Sequence, residues 1–84
     1  MIAFVLSAHA EVVIANRSID RKWLEQVLER PERVESDKVD PALKHAIGRI
    51  SVHRGRVLRV VYNDTVDPRR IVTAYFDRTL RDKI

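Results

Sequence analysis

Apolar and polar positions along this chain change their spacing from one segment to the next, and the changes divide it into elements. Ile2 to Leu6 form a short apolar run that predicts a small strand. Ser7 behind it is an N-cap for a helix running to about Asn16 or Arg17, although its apolar residues Val12, Val13 and Ile14 are clustered rather than cleanly periodic. A second helix is better marked. Asp20 is its N-cap, Ile19 and Leu24 have the spacing of a hydrophobic staple, and Trp23, Leu24, Val27 and Leu28 make one apolar stripe. It ends near Arg30, because Pro31 disfavours the helical conformation in the residue before it.

The pattern then shortens to that of strands. Glu32 to Asp40 is polar with Val34 and Val39 as anchors, which predicts a short edge strand and a loop turning at Asp40-Pro41. Lys44 to His53 reads as a strand, Arg54-Gly55 as a tight connection, and Arg56 to Asn63 as a Val-rich partner, together an antiparallel hairpin. Asp64 to Arg69 is a turn, Ile71 to Asp77 another strand, and Thr79 to Ile84 a tail or a single helical turn. The order predicts a single α+β domain over residues 1–84. Its two N-terminal helices pack on one face of an antiparallel sheet of three to four strands, with the other face open. A three-residue hairpin loop would set Arg49 and Arg59 side by side on that face; a two-residue loop would shift one strand's inward set.

Composition narrows the class. A chain of 84 residues buries only about 60–65% of its unfolded surface, so a single sheet with one helical layer is the ceiling. The absence of Cys excludes disulfides, thiolate metal sites and a cysteine nucleophile, and predicts a cytoplasmic setting. The start, MIAFVLSAHA, has too short an apolar run for a signal peptide and is read as the beginning of the fold. No stretch reaches the roughly 18–20 apolar residues of a membrane span, which predicts a soluble protein. Charge is unevenly spread: residues 1–42 carry 6 Lys/Arg against 8 Asp/Glu, and residues 43–84 carry 10 against 4. That asymmetry points to a polyanion-facing surface more strongly than the total of +4 does.

The order LSAHAEVVIANRSI, a Trp-containing helix ending before ERPERVE, GRVLRVVYN and RIVTAYFDR resembles the small bacterial proteins grouped as domain of unknown function 4258. The correspondence runs from about Leu6 to Arg81 through His9-Ala10, Arg17-Ser18-Ile19, Pro31, Val57 to Tyr62, Thr73 and Tyr75. Ser18 stands where the pattern has Gly, and Val13 where many members carry Arg. The resemblance implies a likeness to the RelE/ParE and barnase-like toxin group, which sets two helices against an antiparallel sheet and includes metal-independent ribonucleases and gyrase poisons. A cognate antitoxin with an acidic segment would be the partner of such a protein.

Metal-independent RNA cleavage needs a base for the 2′-hydroxyl, cations for the phosphoryl transition state and an acid for the leaving oxygen. His9, His45 and His53 can serve for proton transfer, and Arg49, Arg59 and Arg78 for phosphate. The resemblance favours His9. The expected catalytic set is His9, Arg49, Arg59 and Tyr75, with Arg17, Arg54, Arg56, Arg70 and Arg78 contacting nucleic acid. The plainer roles stay open: His9 as a partly buried structural histidine, Arg17 as a helix-terminal cation, the strand arginines as solvated or salt-bridged, Tyr75 as half-buried core. No histidine pair has metal-ligand spacing and no Gly-rich loop is present, so neither a metal nor a nucleotide cofactor is expected. Trp23 is assigned to the core. The sequence thus predicts a toxin-like metal-independent endoribonuclease acting on RNA, free or on ribosomes, with a non-enzymatic binding module using a cationic sheet face as the alternative. A self-associating protein of unrelated role is the third reading.

Overall fold

A computed structural model describes residues 3–80 of the chain. The elements are β1 (Phe4–Leu6), α1 (Ala8–Asn16), α2 (Arg21–Glu29), β2 (Arg33–Ser36), β3 (Leu43–Ile50), β4 (Arg56–Asn63) and β5 (Arg69–Phe76), with short 3-10 turns at Ser51–His53 and Arg78–Leu80. The expectations for Ile2 and for residues 81–84 fall outside the described residues.

Both helix starts follow their caps. The Ser7 hydroxyl accepts from the Ala10 amide at 3.1 Å and donates to the Val72 carbonyl at 3.3 Å, so one side chain caps α1 and ties it to β5. The Asp20 carboxylate accepts from the Lys22 amide, and the stapling residues Ile19 and Leu24 are both buried. Helix α1 ends in a Schellman motif, with the Ile19 amide on the Ile14 carbonyl and the Ser18 amide on the Ala15 carbonyl. This puts Ser18 at φ 53°, the left-handed region that a Gly would occupy without cost.

The sheet has five strands in the order β1-β5-β4-β3-β2. This corrects the expected antiparallel sheet of three to four strands. Strand β1 joins as a fifth member, parallel to β5, with Phe4 to Leu6 opposite Arg69 to Ile71. The chain therefore leaves one edge of the sheet, crosses it through α1 and α2, and re-enters at the opposite edge as β2. All other pairings are antiparallel, and β5 carries an irregularity opposite Val61/Tyr62.

Alternation along the strands sorts the two faces. Ala46 and Ile50 of β3, Leu58, Val60 and Tyr62 of β4, and Ile71 and Ala74 of β5 form one buried cluster with Ala10, Ile19, Leu24, Val27 and Leu28 of the helical layer. Gly48 lets α2 sit close, since a Cβ there would lie 3.2 Å from Val27 Cγ2. The opposite face carries Ile47 and Val57, over which Leu80 folds to make a second small cluster. That face is accordingly not bare; the turn after β5 covers part of it.

The β3–β4 hairpin departs from the expected tight connection. Strand β3 stops at Ile50 rather than His53, and Ile50 pairs with Arg56 across the five residues Ser51–Gly55. Arg54 and Gly55 both take positive φ, 59° and 66°, to turn the chain. In this register Arg49 faces Val57 and Arg59 faces Ile47, so the two arginines share a face but stand diagonally rather than side by side.

Candidate nucleic-acid interface

The helix-free face holds a chain of charges centred on Arg59. Its Nη1 donates to His45 Nδ1 at 2.9 Å and to Glu35 Oε1 at 3.4 Å, and its Nε donates to Asp77 Oδ2 at 3.1 Å. On its far side, His45 Nε2 meets Asp37 Oδ1 at 2.7 Å. Because arginine keeps its protons, Nδ1 of His45 must be the acceptor, which leaves the ring proton on Nε2 to donate to Asp37. The Arg59 side chain is only 12% exposed and that of Asp77 13%. The backbone amide of Asp40, the His45 ring and the Val39 amide hold the Asp37 carboxyl down to about 2. The hydrogen bond from the Thr79 hydroxyl, aided by the Thr79 amide and by Arg59, lowers that of Asp77 against the opposing effect of burial. Every member of this network has a partner inside the protein. Its chemistry is that of a brace linking β2, β3, β4 and the turn after β5.

A second constellation lies where the β3–β4 hairpin meets the end of β5. Val52, His53, Arg54, Arg56, Phe76 and Arg78 line a cleft of about 670 Å³. Its floor is aromatic: the His53 and Phe76 rings are 4.9 Å apart, Trp23 of α2 stands 4.7 Å from His53, and the Arg56 guanidinium sits 4.5 Å from the Phe76 centroid. Arg56 Nη1 approaches His53 Nε2 at 3.4 Å, so this imidazole nitrogen also faces a donor as an acceptor. Among the described residues no carboxylate lies within ion-pair distance of Arg54, Arg56 or Arg78. Asp77, also on the cleft wall, is already engaged by Arg59 and Thr79. Positive charge is left over at this corner and spent internally on the sheet face.

The structure divides the expected site residues between these places and others. His9 is exposed on α1, in the helical layer, whereas Arg59 and its register partner Tyr75 lie on the other side of the sheet. The anticipated convergence of His9 with the strand arginines does not occur. Arg49 turns its Nη1 to the Gly55 carbonyl at 2.6 Å and steadies the hairpin turn. Arg17, exposed at the end of α1, donates to the Ala74 carbonyl at 2.8 Å and ties that helix end to β5. Arg70 is exposed opposite Asn63, away from the cleft lining. Arg54, Arg56 and Arg78 do meet in one cleft, and the histidine beside them is His53. His53 is one of the three histidines suited to proton transfer, and its signal in the chain is the run His53-Arg54-Gly55-Arg56 at a hairpin end, where successive side chains crowd. Trp23, assigned to the core, is half-buried and backs the cleft.

Among the described residues no cluster of three or more His, Cys, Asp or Glu side chains is arranged to hold a metal ion, and no helix is long and apolar enough to cross a membrane. Fold and cleft together define a small α+β protein with two helices over a five-stranded mixed sheet and a cationic, ring-walled recess at one sheet end. The chain belongs to the domain of unknown function family DUF4258, which matches residues 6–76. No curated protein and no solved structure matches it.

Proposed function

We propose that this protein binds RNA at the hairpin-end cleft, as a toxin-like member of a bacterial toxin–antitoxin pair of the RelE/ParE type. The observation that carries this is the set of three arginines, Arg54, Arg56 and Arg78, converging around one imidazole and a pair of rings with no carboxylate partner among the described residues. Unneutralised guanidinium groups with bidentate geometry suit phosphate oxygens. The toxin assignment rests on fold analogy, two helices over a sheet, and carries with it a cytoplasmic setting and an acidic antitoxin that covers the cleft. Binding of RNA that weakens steeply with salt supports the reading. A protein that ignores RNA at low salt refutes it.

A further observation favours cleavage. The Arg56 donor lies 3.4 Å from His53 Nε2, a long contact that a hydroxyl can displace, in a site lined by phosphate-binding groups. A 2′-hydroxyl placed there would give its proton to Nε2 as its oxygen attacks the adjacent phosphorus. The P–O5′ bond breaks, the departing oxygen takes a proton from water, the hydroxide left behind recovers the proton held by His53, and a 2′,3′-cyclic phosphate remains. His53→Gln is expected to lower the cleavage rate at least ~100-fold, far more than it weakens RNA binding, with cleavage read by gel from end-labelled RNA. Uncut RNA with the unaltered protein leaves the non-enzymatic binding module as the function.

A further inference from the structure

The cleft walls are not those of a groove that only tracks charge. A surface that follows a phosphate backbone needs cations on a polar floor. Here Phe76 and His53 present half-buried rings, Arg56 covers one of them, and Val52, 85% exposed, stands at the rim. An aliphatic side chain left so open beside stacked rings and free arginines matches a ligand that is flat and apolar on one part and anionic on another. Nucleotides of an unpaired strand have that composition. In a duplex the same bases are stacked on each other and offer the protein only phosphates and groove edges.

We infer that the cleft takes unpaired nucleotides, seating a base against the Arg56–Phe76–His53 stack under Val52 while Arg54 and Arg78 hold the flanking phosphates. The inference rests on the RNA-binding reading and narrows it to one strand state. The volume, about 670 Å³, is in the range of small-ligand sites, enough for one or two nucleotides and not for a helical segment. A base–aromatic or base–guanidinium stack is sequence-tolerant, so discrimination falls between unpaired and paired strands rather than among bases.

The chain contains a single Trp, and it lies 4.7 Å from the His53 ring, so its fluorescence reports on the cleft directly. Three probes are titrated at one salt concentration: a short single-stranded RNA, the same sequence as a duplex, and inorganic polyphosphate of matched charge. The single strand is expected to bind roughly tenfold or more tighter than either of the others and to change the Trp23 emission. Val52→Ser and Phe76→Leu, which keep the hairpin charges, should each reduce that preference while leaving polyphosphate affinity unaltered. Equal affinity for all three probes overturns the base-seating inference but leaves charge-driven RNA binding intact. No binding of any probe overturns both. Preferential binding of an acidic peptide carrying an apolar residue over the single strand overturns the nucleotide assignment in favour of a protein ligand.

Discussion

Arg59 and Arg56 are three residues apart on one strand, yet the fold uses them in opposite ways. Arg59 is enclosed by Glu35, His45 and Asp77 on the helix-free face, and its charge is answered at every donor the strands bring near it. Arg56 leans on Phe76 and an imidazole nitrogen at the hairpin end, beside Arg54 and Arg78, with no described carboxylate within ion-pair distance. Glu35 and Asp37 of the N-terminal half, together with Asp77, thus answer the charge of the sheet face, whereas among the described residues Arg54, Arg56 and Arg78 gather at the corner without a carboxylate. Net charge by segment marks that a cationic surface exists; pairing decides where it is.

Substitutions sharpen that contrast. Arg59→Met removes a donor from the enclosed Asp77 carboxylate and from His45 Nδ1, while Thr79 still holds Asp77 and Arg33 still holds the more open Glu35, and is expected to cost about 2–3 kcal/mol in urea denaturation, somewhat below the cost of opening a fully buried pair. Arg54→Met should stay within about 0.5 kcal/mol of the unaltered protein. Equal losses at the two positions would erase the distinction. Replacing Arg54, Arg56 and Arg78 together by Gln should leave the fold in place and reduce the slope of log affinity against log salt by about 2 for single-stranded RNA. An unchanged slope would remove the cleft from the binding surface.

Acid probes the sheet-face network by itself. The Asp37 carboxyl is held near 2 when folded, below its ordinary 3.8, so its contribution is complete above about pH 4 and is lost as pH falls toward 2. Asp37→Asn removes that dependence. The variant is expected to be less stable at neutral pH and to converge with the unaltered protein near pH 2 in denaturation curves taken at several pH values. Parallel curves would show that the Asp40 and Val39 amides and His45 do not favour the carboxylate. The smallest effect lies outside both regions: Ser18→Gly relieves a left-handed serine and should stabilise the domain by about 0.5–1 kcal/mol in thermal or urea unfolding.

What could be read from the chain was what is local in it. Ser7 and Asp20 announce helix starts because a cap acts within three residues, and the stripe Trp23, Leu24, Val27, Leu28 announces its buried side by its period. Strand β4 was legible at both ends for the same reason. The place of β1 was not, since pairing Phe4 with Arg69 spans nearly the whole chain and three apolar residues do not specify a partner. The register of the hairpin depended on whether residues 51–53 continue the strand, and a single helical turn there moved Arg49 from beside Arg59 to beside Val57. The cleft draws on Trp23, on residues 52–57 and on residues 76–78, which only the folded sheet brings together. The arginines of the turns were visible as binding candidates, but the identity of their histidine was not.

On the proposed reading the arginines at the hairpin end, which have no carboxylate partner among the described residues, and not those of the sheet face, meet the nucleic acid. Amide and side-chain chemical shifts followed by NMR during titration with a short single-stranded RNA decide between the two surfaces. Changes concentrated at residues 52–56 and 76–78 and at the Trp23 indole, with His45, Arg59 and Tyr75 unmoved, are the predicted result. Changes centred on Arg59, Thr73 and Tyr75, or around His9 on α1, would contradict it.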